Sequence, residues 1–217
     1  MSIEVILADD HVIVREGIKA AIEGQAKDIE IIAEASNGEE VLNMAKNNPA
    51  DIYVLDIAMP ILNGIETSAR LIKMDPKSRV IILSVHDEKI FVENALRSGA
   101  KGYILKESQT SEVIHAIRQV YRNRFYLCPA VSKYIVKGFL GKKNNYGSLE
   151  KTVELTQRER EILQLVSEGF SNKEIAKRLR LSLNTVHVHR NNIMFKLDIH
   201  KQAGLIRYAL KEGICQI

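Results

Sequence analysis

Residues 5–16 read VILADDHVIVRE: an apolar run that ends on two adjacent carboxylates, Asp9 and Asp10, before an amphipathic stretch begins. A run of Val, Ile and Leu without strict alternation is what a strand covered on both faces of a parallel sheet requires. Four further runs share this character: IEIIAEA at 29–35, DIYVL at 51–55, RVIIL at 79–83 and GYIL at 102–105. Between them apolar residues recur at spacings of three and four, as in Val14, Ile18, Ala21 and Ile22, or Phe91, Val92, Ala95 and Leu96. After the fifth run come Val113, Ile114, Ile117 and Val120, again at helical spacing. Five such strand–helix units predict a doubly wound α/β domain, a five-stranded parallel sheet ending near Tyr121.

The 217 residues exceed what one small domain needs, and 46% hydrophobic with 27% charged residues is the composition of an ordinary folded protein with a core in each half. No run reaches the roughly 18–20 apolar residues of a membrane span, and MSIEVILADD lacks the basic and long apolar regions of a secretion signal. A cytoplasmic protein that does not engage a membrane is the expectation. Cys128 and Cys215 are far apart and form no C-x-x-C pair, so neither a disulfide framework nor a zinc site is indicated. The net charge of +4 conceals an asymmetry: residues 1–121 hold 13 Lys+Arg against 19 Asp+Glu, and residues 122–217 hold 18 against 8. A basic C-terminal half fits a nucleic-acid partner, a solvated surface or an acidic protein.

In an open parallel sheet, ligands bind beyond the carboxyl ends of the strands. Those ends carry Asp9 and Asp10 after the first strand, Asp56 after the third, Ser84 after the fourth and Lys106 after the fifth. A single Asp there is more often a helix cap. Three carboxylates, a hydroxyl and an ammonium on one rim instead fit a divalent cation such as Mg²⁺, which takes about six oxygens and prefers carboxylates, phosphate and water.

Residues 122–153 lose periodicity and contain GKKNNYGSLEK, the composition of a linker, with a short helix expected around Val131–Phe139. From residue 154 to 217 the pattern is helical. Thr156 with Glu159 and Ser171 with Glu174 are capping boxes, Gly169 ends the first helix, and Ser182 caps a third. Two short helices joined at RLRLS form a helix-turn-helix, whose second helix enters a DNA major groove. On that helix Val186, Ile193 and Leu197 share one face, while Val188, Asn191, Asn192 and Phe195 lie opposite. Asn191 or Asn192 suits an adenine edge, Val188 a thymine methyl, and Arg190 and Lys196 phosphates. His187 and His189 point roughly 200° apart and do not close on one metal.

The motifs ADD, YVLDIAMP, LNGIE, ILSVHD and SGAKGYILK, in that order and spacing, resemble a receiver domain of flavodoxin-like fold. LTQREREIL, GFSNKEIAKRL and LSLNTVHVHRNNI resemble a LuxR-type helix-turn-helix, and together the halves resemble two-component response regulators of the NarL/FixJ family. The resemblance implies phosphorylation of Asp56 by a histidine kinase. It implies Mg²⁺ held by Asp9, Asp10, Asp56 and the Ala58 carbonyl, with Ser84 and Lys106 contacting the phosphoryl group and Tyr103 as an aromatic switch. It also implies binding of promoter DNA as a homodimer, with Asn184, Thr185, His187, Val188, Arg190, Asn191 and Lys196 as candidate contacts and the final helix, from about Gln202 to Gly213, aiding dimerisation. His187 stands where many members carry Lys or Arg. Glu107 follows Lys106 where many receivers have a cis proline, and a trans bond is expected here. The rival readings are a regulator that binds DNA irrespective of phosphorylation and a Mg²⁺-dependent phosphohydrolase. The second would need a further Asp where this chain has Ala58, and no catalytic role is assigned.

Overall fold

The computed structural model describes residues 2–134 and 155–215. All five apolar runs are strands: β1 (Ile3–Ala8), β2 (Ile29–Ala35), β3 (Ile52–Asp56), β4 (Val80–Ser84) and β5 (Gly102–Leu105). They are connected by α1 (Val12–Gln25), α2 (Gly38–Asn47), α3 (Gly64–Met74) and α4 (Lys89–Arg97), and α5 (Thr110–Tyr121) follows β5. The sheet order is β2-β1-β3-β4-β5-β6 with every pairing parallel. The order reverses between β1 and β3, so the chain enters opposite faces of the sheet from these neighbouring strands and leaves a crevice at their carboxyl ends. Asp9 and Asp56 lie there.

Alternation of side chains along each strand divides the core in two. Ile6, Tyr53, Leu55 and Ile82 pack on one face with Val41, Leu42, Leu71, Phe91 and Val92 of α2, α3 and α4. Leu7, Val54, Ile81, Leu83 and Ile104 pack on the other with Ile22 of α1 and Val113, Ile117 and Val120 of α5. Each fully buried Val, Leu or Ile contributes about 1.5–3 kcal/mol of transfer free energy, so the central strands carry much of the stability that fixes the crevice.

This unit continues past Tyr121, where the sequence placed the start of a linker. A sixth strand, β6 (Tyr126–Leu127), pairs Tyr126 with Gly102 and Leu127 with Tyr103. Cys128 and Val131 are buried in the same core. A helix, α6, is described over residues 129–134 and includes the start of the one expected at Val131–Phe139. Residues 135–139 and the rest of the expected linker to 153 lie outside the described residues. A two-residue strand shows no periodicity, and it is the pairing with β5 that places these residues in the sheet.

The chain divides into two units, Met1–Lys142 and Lys143–Ile217. The second contains α7 (Gln157–Ser167), α8 (Asn172–Leu179), α9 (Leu183–Leu197) and α10 (Gln202–Lys211). Both capping boxes form: Thr156 accepts from the Glu159 amide and Ser171 from the Glu174 amide, each Glu returning to its cap. Ser182 accepts from the Thr185 amide at the start of α9. Gly169 ends α7 in the left-handed region, φ +89°, with open space around a hypothetical Cβ, so backbone conformation rather than crowding selects glycine. Ile162, Leu163, Ile175, Val186, Ile193, Leu205 and Ala209 converge on one small core, which holds α8 and α9 as a helix-turn-helix.

Candidate functional site

The strand-end residues converge. Asp9, directly after β1, is fully buried, and Asp56, the last residue of β3, is 2% exposed. The Lys106 ammonium, arriving from β5, lies 2.7 Å from Asp9 Oδ2 and 2.9 Å from Asp56 Oδ2. These contacts are close in distance, but neither oxygen has a donor in hydrogen-bond alignment. The Lys106 ammonium therefore faces both buried carboxylates and acts on them chiefly through its charge. The other Asp9 oxygen, Oδ1, accepts the His11 amide at 2.8 Å, and the Asp9 carbonyl accepts from Arg15 at 2.6 Å.

Burial pushes the Asp56 carboxyl above the usual carboxylate range; Lys106 opposes the shift and Asp9 reinforces it. Burial also works against the charge on Lys106, but Asp56 and Asp9 outweigh it and raise the ammonium above its ordinary value. A simple ion pair would lower the acid. Asp56 rises chiefly because burial outweighs the single ammonium beside it, and Lys106 rises because two carboxylates face it.

Asp10 lies at the mouth, with its side chain 34% exposed and Oδ1 2.7 Å from His11 Nδ1. Ligand atoms of Asp9, Asp10, His11 and Asp56 all lie within 4.8 Å of one another. Hard carboxylate oxygens, two of them buried without an aligned donor, fit a small divalent cation such as Mg²⁺. His11 was not foreseen from the sequence; its position directly after the carboxylate pair was the available signal. Ala58 turns its backbone amide toward Asp56.

The loop after β3 is constrained locally. Ile61 adopts φ +73°, a left-handed conformation that costs a β-branched residue roughly 1–3 kcal/mol. At the loop's end Asn63 caps α3 by accepting the Glu66 amide. A Cβ on Gly64 would lie 2.1 Å from the Asp56 carbonyl oxygen. Only glycine permits this approach, which seats the start of α3 against the residue carrying the carboxylate.

On the opposite side, Ser84 Oγ accepts the His86 amide at 3.0 Å and the Tyr103 hydroxyl donates to the His86 carbonyl at 2.7 Å. The His86 backbone thereby bridges the two expected switch positions, and its ring stacks on Phe91 with centroids 4.0 Å apart. Tyr103 is fully buried, and that burial raises its phenol far above the ordinary value. No peptide bond among the described residues is cis, so Lys106–Glu107 is trans as expected.

In the second unit, α9 buries Val186 and Ile193 and exposes Asn184, His187, Val188, Asn191, Asn192 and Phe195, with Val188 51% and Phe195 85% accessible. The face expected to meet DNA is thus the exposed one. Three side chains are engaged differently from the sequence expectation. Lys196, expected to reach a phosphate, lies 2.7 Å from Oε2 of the buried Glu159 and ties the end of α9 to α7. A helical wheel cannot show a partner 37 residues away. The Thr185 hydroxyl is 2.7 Å from that of Ser182, within the cap. Arg190 donates to Asn172 Oδ1 at 2.5 Å, and Asn172 Nδ2 lies 3.3 Å from the His187 ring. Asn172, on the other helix of the pair, was not singled out.

Comparison with known proteins accords with both halves. Residues 5–118 match the response regulator receiver domain, and residues 153–209 match the bacterial regulatory proteins of the luxR family. The oxygen regulatory protein NreC of Staphylococcus carnosus is 33% identical over 217 residues, covering 97% of this chain and 98% of its own. The response regulator ChrA of a heme-sensing two-component system is 30% identical over 98% of each chain, with a TM-score of 0.53. The two-component response regulator RcsB, solved as a complex with DNA, is 25% identical over 96% of this chain and 98% of its own, with a TM-score of 0.59.

Proposed function

This chain belongs to the two-component response regulators with a LuxR-type DNA-binding domain, and from that premise we propose that Asp56 accepts a phosphoryl group and thereby controls promoter binding. The observation carrying this reading is the convergence of Asp9, Asp56 and Lys106 on one crevice, with two buried carboxylate oxygens lacking aligned donors.

The donor is a phosphohistidine on a sensor kinase in the cytoplasm. Asp56 carboxylate oxygen attacks phosphorus, the P–N bond breaks, the imidazole leaves with the electron pair, and an acyl phosphate remains on Asp56. Mg²⁺, when bound by Asp9, Asp10, Asp56 and the Ala58 carbonyl, supplies neutralisation of the phosphoryl oxygens. Lys106, already within 3 Å of Asp56, exchanges a carboxylate for a phosphoryl oxygen without travelling far. Transfer of this kind depends on positioning and charge compensation, and these residues provide both.

The phosphoryl group adds about −1.5 to −2 charge and three acceptor oxygens. Ser84 turns its hydroxyl toward them, and the His86 amide that it now accepts must follow or lose its partner. Tyr103 holds the carbonyl of that same residue, so the shift reaches α4 through the His86–Phe91 stack. The outcome is a homodimer that places two copies of α9 on successive half-sites, with the final helix contributing to the contact. Asn184, His187, Val188 and Asn191 face the bases; Lys196 acts through Glu159, holding α9 in place.

The test is incubation of the whole protein with acetyl phosphate and Mg²⁺, followed by intact mass and size-exclusion chromatography. Addition of one phosphoryl group and dimer formation, both lost in Asp56→Asn, is the expected result. Phosphorylation that persists in Asp56→Asn would overturn the assignment.

A further inference from the structure

The Asn172–His187–Arg190 constellation links the two helices of the helix-turn-helix at the exposed surface. Asn172 is the first residue of α8, half-buried, while His187 and Arg190 are one turn apart on α9. The orientation of the amide follows from chemistry. Arg190 has only donors, so the Asn172 carbonyl oxygen must face it, at 2.5 Å. The amide NH₂ is thereby directed at His187, 3.3 Å from Nδ1 and 3.4 Å from Nε2. The two distances are nearly equal, so the amide sits against the ring as a whole and fixes where the imidazole stands.

From this geometry we infer that Asn172 is a positioning residue for sequence reading, fixing the Arg190 guanidinium and the His187 imidazole relative to each other before DNA arrives. The inference rests on the proposed DNA-binding function and extends it to a residue outside α9. Its chemical consequence is specific. An imidazole carries at least one N–H donor, and Arg190 presents further donors one turn away, so together they match a base edge rich in acceptors. In the major groove, guanine N7 and O6 form such an edge. The Arg190 side chain has many rotamers and the His187 ring has a few, and one short amide holding both removes ordering that binding would otherwise have to impose.

The test uses the full chain and duplexes enriched by the wild-type protein from a randomised pool, with a scrambled duplex for comparison. Asn172→Ala removes both contacts. We expect about a tenfold loss of affinity for the enriched duplexes, about twofold or less for the scrambled one, an unchanged melting temperature, and loss of preference at one or two guanine positions. Asn172→Asp retains the acceptor for Arg190 and places an acid at a helix N-terminus, where it is tolerated. It loses the donor to His187, so we expect base preference to fall while the salt dependence of binding is kept.

Binding of Asn172→Ala within about twofold of wild type, with unaltered base preferences, overturns the inference and leaves the proposed function intact, as does an equal loss on enriched and scrambled duplexes, which marks a plain phosphate contact. Failure of the wild-type protein to enrich any duplex overturns the DNA-binding reading and this inference with it.

Discussion

Replacing Lys106 by Met removes the ammonium that faces both buried carboxylates while keeping most of the side-chain volume. Asp9 Oδ2 and Asp56 Oδ2 lie 2.7 Å and 2.9 Å from the ammonium, and the lysine side chain itself is only 12% exposed. Removing one partner of a buried ionic cluster costs about 3–5 kcal/mol, and the partly open position of Asp10 favours the lower end. For a unit of this size, about 3 kcal/mol corresponds to a fall in melting temperature of roughly 9 °C at pH 7. The dependence on pH is the sharper signature. Asp56 already sits above the ordinary carboxylate range through burial and through Asp9, and Lys106 restrains that rise. Without Lys106 it rises further. A carboxyl raised in the folded state stabilises the fold fully below the unfolded value of about 3.9 and loses that contribution as pH climbs through the folded value. The deficit of Lys106→Met is therefore small near pH 4 and opens as pH rises toward 7. Mg²⁺ at about 100 times its dissociation constant restores roughly 2.7 kcal/mol. Thermal denaturation in chelator and in Mg²⁺, from pH 4 to 8, measures all three effects. A variant as stable as wild type at pH 7, or a deficit independent of pH, would refute the picture of one lysine balancing two buried acids.

Gly64→Ala drives a methyl into the Asp56 carbonyl, a backbone atom that cannot swing aside. We expect a loss of about 1–3 kcal/mol in urea unfolding of the first unit, together with slower phosphorylation by acetyl phosphate, because Asp56 itself must shift. Ser171→Ala removes the cap of α8, and about 1 kcal/mol should be lost from unfolding of the second unit, with the first unit's transition unchanged. Tyr103→Phe deletes the hydroxyl donated to His86. About 1 kcal/mol should be lost from the first unit, and the link between phosphorylation and dimer formation should weaken in size-exclusion chromatography.

Much of the site was legible because strands buried on both faces leave their polar residues at the ends. Asp9, Asp56, Ser84 and Lys106 each follow or close an apolar run, and parallel pairing brings those ends together. The capping boxes of α7 and α8 were legible for a similar reason: both partners lie within one helical turn. Less visible was anything decided by a single long-range contact. β6 is two residues long and is defined by its pairing with β5; Lys196 is drawn inward by Glu159; Asn172 gains its significance from side chains on the next helix. His11 follows Asp10 directly in the sequence, but a histidine beside two carboxylates carries no pattern of its own until its ring is seen 2.7 Å from Asp10.

The most direct test of phosphorylation control compares DNA affinity for wild type and Asp56→Asn, each with and without acetyl phosphate and Mg²⁺, on a duplex enriched by the phosphorylated wild type. We expect the phosphodonor to tighten wild-type binding by about tenfold, corresponding to about 1.4 kcal/mol, and to leave Asp56→Asn unchanged. Equal affinity in all four conditions would contradict control of DNA binding through Asp56.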